Sequence, residues 1–241
     1  EMSEDVTAAF VMSTVNLGDW RLIYGVRYEH TDFKAKGIRI LTDDVEGSGE
    51  PEPTPVDFDN KQDHWLPGIN ARWERDDYVF RAAATRTIAR PNFGELSPGG
   101  EVEFEEDDGE TELTAEIGNP LLDIVKSTNV DVAFEWYPGG ASVLSAGVFY
   151  KHIKNFIFYA DIADIIDLGD LIGEIPVDEA EVISPVNGDT ADVWGLELSG
   201  IKQWDSGWYV NVNGTFVSTD ARFPGREEKG DLPRTPDVVL N

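Results

Sequence analysis

Two stretches of sequence decide the fold. Residues 83–100 read AATRTIARPNFGELSPGG, and residues 118–158 read GNPLLDIVKSTNVDVAFEWYPGGASVLSAGVFYKHIKNFIF. The first stretch ends a strand and opens a long loop at Arg90 and Pro91, since proline cannot continue a hydrogen-bonded ladder. The second closes that loop and contains two strands joined by a turn at residues 138–140. The rest of the chain repeats this order of strand, tight turn, strand and long loop.

Apolar side chains recur at every second position in these strands. Val130, Val132 and Phe134 alternate with Asp131, Ala133 and Glu135, which is the period of a strand with one buried face. The same period predicts four hairpins and the start of a ninth strand. The predicted segments are residues 6–15 with 20–28, 64–73 with 78–85, 130–136 with 144–151, 193–204 with 208–219, and 236–241.

Short and long connections alternate along the chain. Tight turns fall near residues 18, 75, 139 and 206, and polar long loops fall at 35–63, 88–126, 158–190 and 220–236. Spaced isoleucines and leucines predict a short helix inside the third loop. We therefore predict an all-β, antiparallel up-and-down meander with short turns at one end and long loops at the other.

Large aromatic side chains accompany the tight turns. Outer-membrane barrels have short turns, long extracellular loops and aromatic girdles at the membrane interfaces. A soluble sandwich whose core is capped by aromatics is the alternative interpretation. The aromatics beside the turns are Trp20, Trp73, Tyr78, Trp136, Trp204 and Trp208.

Composition excludes nucleic acid as a partner and excludes two kinds of structural feature. The 241 residues include 47 acidic and 19 basic side chains, a formal net charge of −28, which repels nucleic acid. There is no cysteine, hence no disulfide and no thiolate site. No stretch approaches 18 consecutive apolar residues, which excludes a transmembrane helix but is compatible with membrane-spanning strands.

No catalytic or metal motif stands out. His30, His64 and His152 lie far apart with no ligand spacing around them. The acidic loops offer oxygen ligands for calcium, but they lack the spacing of an EF-hand, and solvated loops are favoured. No nucleophile, phosphate-binding or dinucleotide motif is present. We therefore predict no enzyme activity, no cofactor and no metal.

The motifs resemble the barrel of a TonB-dependent receptor, an outer-membrane importer of scarce nutrients. The resemblance covers most of the chain as an ordered series, and RPNF alone would be weak. It rests on Thr85-Arg86-Thr87, Arg90-Pro91-Asn92-Phe93, Leu96-Ser97-Pro98-Gly99, Gly118-Asn119-Pro120-Leu121-Leu122, Ser127 to Asp131 with Glu135 and Tyr137, Gly147 to Lys151 with Ile153, Gly68, and Trp194-Gly195-Leu196-Glu197.

This resemblance implies a bacterial outer-membrane barrel of about 22 strands around an N-terminal plug that engages TonB. Eight strands and the start of a ninth account for residues 1–241, and no plug, signal peptide or barrel C-terminus is recognisable. We therefore expect an internal barrel segment. The implied partners are a small-molecule nutrient, outer-membrane lipid, and TonB acting through the plug.

The resemblance further implies that the extracellular loops capture the ligand, a siderophore, a carbohydrate or a cobalamin-like molecule. Aromatic rings in those loops are candidate ligand contacts, namely Phe93, Phe104, Tyr159 and Phe223. Arg90, Pro91, Gly118, Asn119 and Pro120 identify the family, and we expect them to shape the loop. The competing hypotheses are a soluble carbohydrate-binding or adhesive β-sandwich and a secreted β-rich hydrolase.

Overall fold

The computed structural model describes residues 2–39, 54–97, 99–107, 110–164, 177–226 and 228–240. Every regular element in these ranges is a β-strand. None of the described residues forms a helix long and apolar enough to cross a membrane. The strands are β1 (Met2–Leu17), β2 (Trp20–Arg39), β3 (Thr54–Arg75), β4 (Tyr78–Ala89), β5 (Gly100–Asp107), β6 (Glu110–Ile117), β7 (Val125–Trp136), β8 (Val143–Lys154), β9 (Ile157–Asp161), β10 (Glu179–Asn187), β11 (Thr190–Gln203), β12 (Tyr209–Arg222) and β13 (Val238–Leu240).

Nine strands form one antiparallel sheet in the order β1-β2-β3-β4-β7-β8-β11-β12-β13. This order confirms the predicted antiparallel meander, and the last strand in it, β13, spans three residues. The four predicted tight turns close at one end of the sheet, hereafter the turn end. Each of the four contains left-handed backbone, at Gly18 with φ 60°, Asp76 with φ 50°, Gly139 with φ 80° and Gly207 with φ 87°. The long connections leave from the opposite end, hereafter the loop end.

The first predicted loop, residues 35–63, is too long. Strand β2 continues to Arg39 and β3 already starts at Thr54. Charged side chains replaced the apolar alternation there, so the sequence pattern concealed the ladder. Cross-strand ion pairs accompany the pairing, since Nζ of Lys36 lies 3.2 Å from Asp57 and Nζ of Lys61 lies 3.3 Å from Asp32.

The second predicted loop contains a hairpin that the sequence analysis did not predict. Strands β5 and β6 pair with each other, and β6 pairs in parallel with β10, which pairs with β9. A separate four-stranded sheet therefore occupies the loop end, with the order β5-β6-β10-β9. The predicted helix falls mainly on residues 165–176, outside the described residues, and β10 occupies part of the remaining third loop.

The two faces of the nine-stranded sheet differ in chemistry. On one face, hereafter the apolar face, cross-strand neighbours are almost all apolar; Val132 lies opposite Val148, which lies opposite Leu196. Val148 and Trp194 are 54% and 59% exposed, because no described element covers this face. A β-sandwich would bury these side chains under a second sheet, so the sandwich alternative is not supported.

Aromatic side chains flank the apolar face at both ends. Trp20 lies opposite Trp73, and Tyr78 lies opposite Trp136, in the row next to the tight turns. A second row near the loop end was not predicted. There the rings of Tyr28 and Trp65 lie 5.0 Å apart, and those of Tyr150 and Trp194 lie 4.2 Å apart. Two aromatic rows around an apolar band are the pattern of a membrane-spanning sheet.

Buried apolar clusters lie at the loop end. One cluster packs the inner face of the small sheet and includes Leu113 and Val182. Another joins β2 to the connection between β4 and β7 through Phe33 and Leu122. In the third cluster, Phe156, which follows β8, packs against Phe223, which follows β12. The connections at the loop end therefore have buried apolar clusters of their own, and these clusters attach them to the nine-stranded sheet.

Candidate functional site

The second face of the nine-stranded sheet, hereafter the polar face, carries two groups of hydrogen-bonded side chains. Nε of Arg81 donates to Oε1 of Glu135 at 2.7 Å, and the hydroxyl of Tyr137 donates to Oε2 of the same carboxylate at 2.6 Å. Closer to the loop end, Nδ2 of Asn129 donates to the hydroxyl oxygens of Thr85 and Thr87 at 3.3 and 3.1 Å. This face can therefore contact water or a polar solute.

Arg90 fixes the second long connection, which follows β4, to the polar face. Its Nη2 donates to Oε2 of Glu29 at 2.5 Å and to the hydroxyl of Thr31 at 3.1 Å. Its Nε lies 3.2 Å from Oε1 of Glu4 on β1. Glu29 is only 8% exposed and accepts a second hydrogen bond from Arg27 at 2.5 Å. The arginine therefore compensates a nearly buried carboxylate and ties β1 and β2 to the connection that follows β4.

A compact turn follows Arg90 and Pro91. The backbone N–H of Asn92 donates to the carboxylate of Glu95 at 2.8 Å, and the N–H of Glu95 donates to Oδ1 of Asn92 at 2.9 Å. The returning chain passes against this turn at Gly118. A Cβ there would lie 2.3 Å from the carbonyl oxygen of Ser97 and 2.9 Å from that of Gly94. Only glycine allows this close approach.

Two asparagines join the second long connection, between β4 and β7, to the third, between β8 and β11. Nδ2 of Asn119 donates to the carbonyl of Pro185 at 3.1 Å, while its Oδ1 accepts from the N–H of Leu121 at 3.0 Å. Asn187 accepts from the N–H of Asp123 at 2.8 Å and donates to the carbonyls of Asp123 and Asn155 at 3.1 and 2.9 Å. These bonds hold two of the connections at the loop end in a fixed relation.

The two faces of the four-stranded sheet at the loop end also differ in chemistry. Its inner face packs Val102, Leu113 and Val182 together, and its other face is acidic. No described basic side chain lies among these carboxylates in the strand register, so this face concentrates negative charge. The glutamates that share the face are Glu101, Glu103, Glu105, Glu112, Glu116, Glu179 and Glu181.

Asp161 holds the end of β9 within the small sheet. The backbone N–H groups of Ala163 and Val182 each donate to its Oδ1 at 3.0 Å. These two donors hold the pKa of Asp161 below its usual value, so the carboxylate stays ionised. The end of β9 is thereby fixed against β10.

The four aromatic side chains proposed from the sequence occupy different environments. Phe93 is 50% exposed and stacks on Phe33 at 6.5 Å, and Tyr159 is also 50% exposed. Phe104 packs against the buried cluster of the small sheet. Phe223 is 9% exposed and lies edge-on to Phe158 at 4.9 Å. The structure therefore leaves Phe93 and Tyr159 accessible and uses the other two rings for packing.

Two important residues were not singled out from the sequence. Glu29 reads as an ordinary polar position of a half-buried strand, and nothing local indicates its partner Arg90, 61 positions away. Asn187 lies before Gly188 and reads as a turn residue. Alternation did contain a usable signal for β5, because Val102 and Phe104 are spaced by two between glutamates.

These features define the class of protein: the sheet is the wall of a membrane β-barrel. It has an apolar band between two aromatic rows, a polar opposite face, and packed connections at the loop end. The family of TonB-dependent receptor-like β-barrels matches residues 2–241, and the chain belongs to this family. A comparison with curated proteins found no match.

Solved structures show the same fold. The ferric yersiniabactin uptake receptor FyuA from Yersinia pestis is 16% identical with a TM-score of 0.62, and the match covers 99% of this chain and 30% of that one. The Serratia marcescens hemophore receptor HasR is 15% identical with a TM-score of 0.61, covering 99% and 39%. The alcaligin receptor FauA from Bordetella pertussis is 15% identical with a TM-score of 0.55, covering 99% and 33%. The chain thus spans about a third of the length of these receptors.

Proposed function

We propose that this chain forms part of the wall and outer rim of an outer-membrane receptor that imports a scarce nutrient using energy delivered through TonB. The observation that carries the proposal is the pairing of an uncovered apolar face with a polar face whose rim is held by Arg90, Asn119 and Asn187. Membership of the receptor family and the similarity to siderophore and hemophore receptors support it.

In this arrangement the apolar face contacts lipid and the polar face lines the lumen. The rim lies outside the cell, where the loops meet the ligand first. The plug and the TonB-binding segment belong to the complete receptor. The role of this chain is to bind and guide a solute without covalent chemistry.

The charge of the rim limits the nutrient class. The acidic face of the small sheet repels anions, so we propose a neutral or cationic ligand, such as a carbohydrate, a cobalamin-like molecule or a siderophore complex without net negative charge. Phe93 and Tyr159 are the rings we propose for stacking, because each has an exposed surface at the loop end.

Uptake by cells carrying the full-length receptor tests this proposal. We expect energy-dependent accumulation of one labelled class from a panel of oligosaccharides, cobalamin and ferric siderophores. Phe93→Ala and Tyr159→Ala should each weaken binding roughly two- to tenfold, the size of an aromatic contact. Tyr209→Ala is the matched control, since Tyr209 is 57% exposed but lies at the turn end.

The outcome that contradicts the proposal is equally specific. Accumulation that persists without TonB, or that is absent for every class in the panel, would contradict active import. An effect of Tyr209→Ala as large as that of the two rim variants would contradict ligand capture at the loop end.

A further inference from the structure

Four basic side chains lie together on the apolar face near the loop end; we call them the basic row. Lys126 lies directly opposite Lys154, and Lys154 lies opposite Thr190, which lies opposite Arg222. Arg86 belongs to the same face one row closer to the membrane, opposite Thr128. All four basic side chains are exposed. The row therefore runs across five adjacent strands.

The position of the basic row relative to the aromatic rows fixes its depth. Lys154 follows Tyr150 by four residues on β8, which is roughly 13 Å along a strand and less along the membrane normal when the strand is tilted. The polar headgroup layer begins where the aromatic row ends. The basic row therefore projects sideways into the headgroup layer and away from the lumen.

The basic row has no acidic partner in the described part of the chain, although acidic residues outnumber basic ones by 47 to 19. Among the described residues, no carboxylate lies within 4.0 Å of any of its four side chains. The two carboxylates one row closer to the membrane are already engaged. Asp192 accepts from Tyr150 at 2.6 Å and lies 2.8 Å from Nδ1 of His152, and Asp220 pairs with Lys229 at 3.3 Å.

The cations at the same end of β2 and β3 behave differently. Lys34 and Lys61 both pair with Asp32, at 3.6 and 3.3 Å. In contrast, Lys126 faces Lys154 directly, and like charges at directly opposite positions destabilise a sheet. An anion from outside the chain would remove this repulsion.

We propose that the basic row binds the phosphate groups of an anionic lipid headgroup in the outer leaflet. Lysine and arginine near a membrane surface attract anionic headgroups, and phosphate accepts several charge-assisted hydrogen bonds at once. The occupant is a lipid rather than a soluble phosphate, because the row continues an apolar surface on which acyl chains lie. The proposal rests on the membrane orientation given above and not on the identity of the nutrient.

Lipid binding by the purified full-length receptor tests this. The probes are lipid A with its phosphates, dephosphorylated lipid A, and inorganic phosphate as the soluble arm, each titrated in neutral detergent and read by native mass spectrometry. The test variant is the double substitution Lys126→Ser with Lys154→Ser. The matched control is Arg75→Ser with Lys202→Ser, which removes two cations from the same face at the turn end.

We expect the unaltered receptor to prefer phosphorylated over dephosphorylated lipid A by about tenfold or more. The test variant should lose most of that preference, and the control should keep it within about twofold. Equal preference in the test variant, or saturation by inorganic phosphate alone, would overturn the proposal. Nutrient uptake measured in the same variants separates the two proposals, because a failure of import leaves the lipid preference unchanged.

Discussion

Replacing Arg90 by methionine is expected to lower the free energy of unfolding of the receptor by about 3 kcal/mol. Methionine keeps much of the length of the side chain but removes the guanidinium that compensates Glu29 and contacts Thr31 and Glu4. A carboxylate that is 8% exposed then retains only Arg27. Urea unfolding of the full-length protein in detergent, followed by intrinsic tryptophan fluorescence, measures this change.

The matched control for Arg90 is Arg21→Met. Arg21 also lies on the polar face but is exposed and forms no ion pair with a described residue. Its replacement should change the free energy of unfolding by less than about 0.5 kcal/mol. Equal effects of the two substitutions would contradict the role of Arg90 as the attachment point of the connection.

Replacing Gly118 by alanine is expected to open the turn formed by residues 92–97. The new Cβ would lie within 2.3 to 3.0 Å of three carbonyl oxygens, those of Ser97, Gly94 and Glu95. These are backbone atoms, so the chain must separate, at a cost of about 1–3 kcal/mol. Separation lengthens the 2.6 Å hydrogen bond from the N–H of Asn119 to the carbonyl of Glu95. Amide hydrogen exchange of Asn119 should therefore accelerate.

Gly99→Ala controls for a methyl group added to the same connection. A Cβ on Gly99 would meet no heavy atom within 4 Å. Exchange at Asn119 should then remain as in the unaltered protein. Unchanged exchange in Gly118→Ala would show that the close approach at Gly118 does not hold the loop.

The strands of the nine-stranded sheet could be predicted because each buries or exposes alternate side chains. Trp20, Leu22 and Tyr24 belong to one face, and the tight turns fix where each strand reverses. The predicted ends were less accurate. Strand β3 begins ten residues before His64, where the start was predicted, because charged pairs rather than apolar contacts accompany that part of the ladder.

The small sheet was missed for a physical reason. Glutamate is an unfavourable strand residue and a common loop residue, so the acidic composition of residues 101–112 outweighed the alternation of Val102 and Phe104. Its pairing with β10 is also remote in sequence, since Leu113 lies opposite Ala180. Sequence periodicity contains no information about such a partner.

The candidate site could be predicted only in part. Arg90, Gly118 and Asn119 were recognised as loop-shaping residues, and the structure gives each a specific contact. Their partners could not be found from local sequence, because Glu29 and Pro185 lie 61 and 66 positions away. The accessibility of an aromatic ring depends in the same way on remote packing, as the burial of Phe223 against Phe156 and Phe158 illustrates.

The central claim is that one face of the sheet contacts lipid and the other lines a polar lumen, and spin labelling along β8 tests it most directly. The chain has no cysteine, so single cysteines at positions 144–150 each accept one label. In vesicles, labels at 144, 146, 148 and 150 should be accessible to dissolved oxygen, and labels at 145, 147 and 149 to a water-soluble nickel reagent. Accessibility to the nickel reagent at all seven positions would contradict the claim.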